Sequence, residues 1–394
     1  MWAAGGRTSI DRVLVDEFTR RTGVSVYLVP ASESSSRRFN QELSVLQDDP
    51  AAVDVLQVDP IWAVRLAPRL LDLRGQLASY RDDELPEVVE NATFDGRVVG
   101  APMLVSYGLL YYRTDLLKKY GFAHPPASWN ELEQQARRIQ RGERAAGDKE
   151  FWGYVWQGGD YEGLTCNALE WQYSAGGSNF VSHERRANTA NSQAIGAFSR
   201  AASWVGTISP PGVTGYVEED SRNVWQSGHA AFLRNWGYVY SLATRSPEVG
   251  GRFAATALPA GVNSSSTVLG GWYLAVPATS RHRSDALAFV EFMTSNSAQK
   301  QRALHGSLFP TLKSVYRDVE VRRSNPVFGI VDYIADHAVR RPAAVAGLSY
   351  SCVSRVYAHG VHEIISGAVA PAIGATVMDA QIKAALAAPA QDCR

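Results

Sequence analysis

No stretch of this chain is long and apolar enough to cross a membrane. The longest weakly polar run, residues 364–378, falls short of the ~20 residues a spanning helix needs, and Pro371 interrupts it. Net charge is absent too. The 39 Lys and Arg balance the 39 Asp and Glu, which argues against nucleic acid or an anionic membrane surface as partner. Cysteine is scarce: Cys166, Cys352 and Cys393 include no CxxC pair, so they fit neither a disulfide scaffold nor a zinc site, and at most one bridge can form. A Gly-x-Ser-x-Gly elbow, a Walker loop and a Gly-x-Gly-x-x-Gly fingerprint are all missing, and with them any sign of NTP or dinucleotide chemistry. The start, Met1-Trp2-Ala3-Ala4-Gly5-Gly6, has neither a basic opening nor a long apolar run, so the chain is expected to be cytoplasmic or a mature form with its leader removed. The glycosylation-type triplets Asn91-Ala92-Thr93 and Asn263-Ser264-Ser265 read as coincidence.

What is present is a globular composition: 45% apolar and 20% charged residues over 394 positions, enough for two to three domains at ~150 residues each. Aromatics are plentiful, with 10 Trp and 17 Tyr, a hint of flat apolar surfaces in a ligand site. The first hundred residues alternate helix and strand. Thr8 or Ser9 can cap a helix carrying Ile10, Val13, Leu14 and Phe18, and Gly23 stops it. Val24, Val26 and Leu28 alternate as a strand, Phe39, Leu43 and Leu46 mark a second helix, and residues 53–58 form a further strand with Asp59 just past its end. This rhythm implies a parallel sheet, whose ligands collect beyond the carboxyl ends of the strands. Leu109-Leu110-Tyr111-Tyr112 reads as a strand, Ser128 and Glu131 as a capping box, residues 284–293 as a helix, and the tail from about Asn325 as helices.

Three groups of residues could carry chemistry. His359, His362 and Glu363 could place two imidazoles on one helical face, but the spacing is not that of a zinc enzyme, and a solvated or hydrogen-bonded helix face is the simpler reading. Glu218-Glu219-Asp220 could serve a glycosidase, which needs two carboxyls about 5–9 Å apart; a solvated helix start is the better local account of them. The aromatics say more. Trp236, Tyr238 and Trp272 stand beside glycines in Asn235-Trp236-Gly237-Tyr238 and Gly270-Gly271-Trp272-Tyr273. A sugar has apolar C–H faces and a hydroxyl rim, and binding one takes flat aromatic faces with a few polar groups around them.

With these residues the chain resembles the extracytoplasmic sugar-binding proteins of ABC importers, the maltose-binding-protein class, and within it the trehalose/maltose (α-glucoside) group. The resemblance runs through residues 53–62, Gly108-Leu109-Leu110-Tyr111-Tyr112-Arg113-Thr114-Asp115-Leu116-Leu117, Tyr161-Glu162-Gly163-Leu164-Thr165-Cys166, Arg234-Asn235-Trp236-Gly237-Tyr238, Leu269-Gly270-Gly271-Trp272 and Arg341-Pro342. It implies an α/β, two-lobed periplasmic-binding-protein fold with a hinge and a central ligand cleft. Lobe one would comprise residues 1–112 plus 275–310, and lobe two residues 113–274 plus 311–394. The implied function is not enzymatic. A monomeric periplasmic or membrane-anchored extracellular protein, without metal or cofactor, would capture an α-linked disaccharide, close around it and deliver it to the permease subunits of the importer.

Position by position, the resemblance assigns Arg38 and Asp59 to sugar hydroxyls from the first lobe, and Glu162, Glu219 and Arg341 to polar contacts in the cleft. Trp236 and Tyr238 match stacking aromatics, and Gly271 with Trp272 a backbone-plus-aromatic contact. Ser106 stands where relatives often have Asp or Asn, and Leu104 where an aromatic is usual. An acid expected near the N-terminus is missing or replaced around Arg7. Ser106 offers one hydroxyl in place of a charged acceptor, which favours a differently linked or larger glycoside. The rival from another class is a glycoside hydrolase using Glu219 and Asp59. A sensor that presents the sugar-bound state to a receptor would share the same site.

Overall fold

In the computed structural model, which describes residues 2–4, 9–30, 32, 35–75, 81–262 and 264–388, the first apolar repeat forms the helix Ser9–Thr22 and buries Ile10, Leu14 and Phe18. Val13 departs from the expectation. It is 54% exposed, and Val15 turns inward instead, because the buried face of the helix is rotated toward Asp11 and Val15. Gly23 ends the helix at φ +75°, a conformation that suits glycine. Arg7, Thr8, Asn263 and Cys393 lie outside the described residues. Cys352 is disulfide-bonded, and Cys166 is free and buried.

The chain makes two compact units, Met1–Ser106 with Gly270–Gly329 and Tyr107–Leu269 with Ile330–Arg394. In the first, Trp2–Ala4 lies between the parallel strands Tyr27–Val29 and Val55–Val58. Tyr273, Leu274 and Ala275 run antiparallel beside Val55–Val58. The helix Ser35–Asp48 buries Phe39 and Leu46 as expected, but it buries Glu42 where the apolar pattern points to Leu43. Phe18 packs edge-on against Phe289, and Asp11 accepts from Arg302 Nε at 2.9 Å inside the core.

In the second unit Gly108–Tyr112 pairs antiparallel with Phe232–Trp236, and Trp152–Val155 flanks the latter in parallel. The strand read from Leu109-Leu110-Tyr111-Tyr112 is part of a longer one, Ala101–Arg113. Ser128 Oγ accepts from Glu131 N at 3.2 Å and opens the helix Trp129–Ala145, as the capping spacing predicts. The core of this unit is a nest of indoles: Trp156, Trp171 and Trp204 meet at 4.9 to 6.3 Å, and Trp129 joins Trp204 at 5.6 Å. Much of the tryptophan that composition suggested for a ligand is therefore core. The tail supplies the helices Tyr350–Ile365 and Pro371–Ala387. Among the described residues no helix is long and apolar enough to cross a membrane.

Candidate functional site

Each unit gathers part of the expected set. In the first unit, Asp59 follows the fully buried strand Val55–Val58 and caps the turn Pro60–Trp62 through its Oδ1, which accepts from Ile61 N at 3.2 Å. Arg38, on the helix Ser35–Asp48, is 1% exposed. Its Nε donates to Glu42 Oε1 at 3.0 Å, and its Nη2 to the carbonyl and side-chain oxygens of Gln57 at 2.9 and 3.1 Å. The guanidinium carbon sits 4.4 Å from the centre of the half-buried Trp272 ring, and Trp62 meets Trp272 nearly edge-on at 5.6 Å. Burial pushes the Glu42 carboxyl up to about 7, against the pull of Arg38.

Gly271 takes φ +150°, and a Cβ there would lie 2.6 Å from the Leu104 carbonyl oxygen. Close backbone packing thus requires glycine at this position. Ser106 is half-buried and Leu104 fully buried on the strand Ala101–Arg113. The arrangement joins Arg38, Trp272, Trp62, Glu42 and Gln57; Glu42, Gln57 and Trp62 are additions to the expected set.

In the second unit the helices Glu162–Ser174 and Glu218–Gln226 each begin with an acid, where the helix dipole favours negative charge. Glu162 accepts from Arg341 Nη1 at 3.0 Å, Tyr350 Oη at 2.7 Å and Ser354 Oγ at 2.6 Å. Glu218 accepts from Tyr161 Oη at 2.6 Å and from Trp236 Nε1 at 3.3 Å. Glu219 holds Arg222 Nε at 2.8 Å, Arg222 Nη2 at 2.5 Å and Tyr238 Oη at 2.6 Å. Burial, reinforced by the facing carboxylates, raises the phenols of Tyr161, Tyr238 and Tyr350 well above their usual range, so all three keep their protons and donate.

Two clusters result, Glu162 with Arg341, Tyr350 and Ser354, and Glu218 with Tyr161 and Trp236, and they are joined in sequence at Tyr161–Glu162, as Glu218 is to Glu219 with its partner Tyr238. Tyr161, Glu218, Tyr350 and Ser354 are the members that sequence reasoning missed as site residues. Glu218 had a signal, since it stands next to Glu219, but an acid at a helix start reads as solvated. A carboxylate offers about four lone-pair sites, so Glu218, with two donors already in place, has the most capacity left for a ligand hydroxyl. The histidines do not converge. His359 Nδ1 faces Asp160 Oδ2 at 2.8 Å and His362 Nε2 faces the Thr214 carbonyl at 3.1 Å. A cavity of about 460 Å³ bordered by Trp129, Trp171 and Trp204 lies elsewhere on the second unit and includes none of the expected residues.

The sequence model of the bacterial extracellular solute-binding proteins matches residues 4–300. The chain belongs to that family. It is 38% identical over 374 residues, 93% of this chain and 88% of the relative, to a probable ABC transporter-binding protein of Deinococcus radiodurans. Among solved structures it is similar to maltose-bound MalE3 of T. maritima, at a TM-score of 0.92 and 29% identity over 97% of this chain and 98% of that one. The GacH receptor of Streptomyces glaucescens shares the fold, at a TM-score of 0.85 and 21% identity over 98% of each chain. The chain thus has the mixed α/β architecture of two-lobe, MalE-like binding proteins. This solute-binding protein stands among binding proteins rather than enzymes.

Proposed function

We propose that this protein captures an α-linked disaccharide, trehalose or maltose, as the substrate-binding component of an ABC sugar importer. The observation that carries the reading is the half-buried Trp236 with its indole N–H turned to Glu218. A flat apolar face bordered by hydroxyl acceptors suits a pyranose better than an amino acid or a phosphate ester. Trp272 on the first unit, with Arg38 against its ring and Asp59 in the neighbouring turn, supplies a second platform of the same kind. The proposal assigns a binding role to each half-site within its own unit, Ser106 and Gly271 belonging with the first. Similarity to the maltose-bound T. maritima protein supports the sugar class. Solute-binding proteins of ABC importers work with membrane permease subunits, which we propose as the protein partner.

Hydrolysis by Glu219 and Asp59 is disfavoured. Arg222 grips one oxygen of Glu219 through two N–H groups and Tyr238 donates to the other, so both carboxyl oxygens are already engaged within the protein. Calorimetry against maltose, trehalose, sucrose, palatinose and glucose tests both readings. A saturable signal with maltose or trehalose and no released glucose is expected. Binding only of an amino acid, peptide or phosphate ester overturns the sugar reading.

A further inference from the structure

Beneath Trp236 lies an ion pair that the sugar reading does not use. Arg234 and Glu170 are 0% and 1% exposed. They meet fork to fork, Arg234 Nε donating to Glu170 Oε2 at 2.9 Å and Nη2 to Oε1 at 2.5 Å, while Nη1 donates to Gln157 Oε1 at 3.0 Å. The guanidinium carbon lies 4.0 Å from the centre of the Trp236 ring. A buried pair of this kind is weak evidence of stability, because apolar residues of equal volume often serve as well. What it supplies is orientation: a planar guanidinium held at both edges has one position.

The same pair touches the two strands through which the chain passes from one unit to the other. Glu170 Oε1 accepts from Val268 N at 3.1 Å. A Cβ on Gly108 would overlap Glu170 Oε1 and lie 2.7 Å from Arg234 Nη2, so Gly108 is glycine to make room for the pair. Thr267 Oγ1 donates to the Gly108 carbonyl at 2.9 Å and links the two contacts. The unit boundaries fall at Ser106/Tyr107 and Leu269/Gly270, within two residues of Gly108 and Val268.

We propose that Glu170 is the positioning residue of the second unit's half-site: through Arg234 it fixes the Trp236 ring and ties that ring to Gly108 and Val268 on the crossing strands. The inference rests on the sugar reading for its ligand. A sugar stacked on Trp236 then loads the guanidinium, and the load reaches both strands through one carboxylate. A pair that merely fills the core would leave Trp236 and the strands independent.

The test is a double-mutant cycle on the full chain, with maltose as probe and affinity read by calorimetry. Glu170→Gln is expected to weaken maltose binding about tenfold in the parent and less than about twofold in a Trp236→Ala background, because it acts through that ring. Equal weakening in both backgrounds, or unchanged affinity in folded Glu170→Gln, overturns the proposal. Arg234→Lys keeps the charge and loses the fork, and the same cycle run with it decides the matter should Glu170→Gln not fold. A parent chain that binds no α-glucoside overturns the sugar reading instead. In that event the tie is read without ligand, from the indole N–H resonance of Trp236 and the amide resonance of Val268. Both should move in Arg234→Lys; an unmoved Trp236 signal overturns the positioning role.

Discussion

Glu84 is 2% exposed, and the Thr311 hydroxyl beside it offsets only part of the cost of burying its carboxyl. Burial pushes the group from its ordinary 4.5 up to about 8, with Asp83 adding repulsion. Folding therefore holds the proton more tightly than the unfolded chain does. The contribution to stability is whole below pH 4.5, shrinks as pH rises, and is gone above about 8, at up to ~1.4 kcal/mol per pH unit. Glu84→Gln carries no proton to lose. Its stability relative to the parent should climb from pH 5 to pH 8 in denaturant melts, and parallel curves would refute the assignment. Glu42 follows the same logic up to about 7. Neither acid was legible as buried. A carboxylate in a polar stretch reads as solvated: only a tertiary contact brings Leu312 alongside Glu84, and although Arg38 and Glu42 pair locally, four residues apart on one helix, nothing local says that the pair is buried. The aromatic-and-acid sites were more legible, because glycine beside tryptophan is an unusual local pattern, whereas the donors Tyr350 and Ser354 reach Glu162 from a helix far along the chain.

At the scale of elements, local chemistry was easiest to read where one residue decides the matter. Ser128 starts a helix and Gly23 stops one for reasons held within four residues. The strand Ala101–Arg113 was legible only over its last apolar residues, because Pro102, Ser106 and Gly108 punctuate the rest. A strand crossing from one unit to the next carries no break at the crossing, so the boundaries at Ser106 and Leu269 leave no mark in the sequence. Gly271 shows how such a strand is built. Its φ of +150° and the Leu104 carbonyl, 2.6 Å from any Cβ, leave room for glycine alone. Gly271→Ala should destabilise the ligand-free chain by about 1–3 kcal/mol, measured by denaturant unfolding without sugar. A variant as stable as the parent would mean that the strand adjusts freely, and would leave ligand contact as the reason for the glycine.

The whole molecule folds as two units, each interrupted in sequence. The second closes only when residues 330–394 return, bringing Arg341, Tyr350 and Ser354 to Glu162. The three side-chain donors to that acid thus all come from the last part of the chain. Two units need not melt as one, so the effect of a ligand can be followed on each transition. Stabilisation by a saturable ligand is RT ln(1 + [L]/Kd), about 2.7 kcal/mol at a hundredfold excess over Kd. In scanning calorimetry, maltose should therefore raise the transition of a unit that holds it. Trp272→Ala on the first unit and Trp236→Ala on the second should each reduce that shift while leaving the ligand-free trace close to the parent's, since both rings are half-buried rather than core. A maltose shift that survives Trp272→Ala but not Trp236→Ala would place the binding energy on the second unit alone, and the first unit's tryptophan and arginine would then be packing rather than grip.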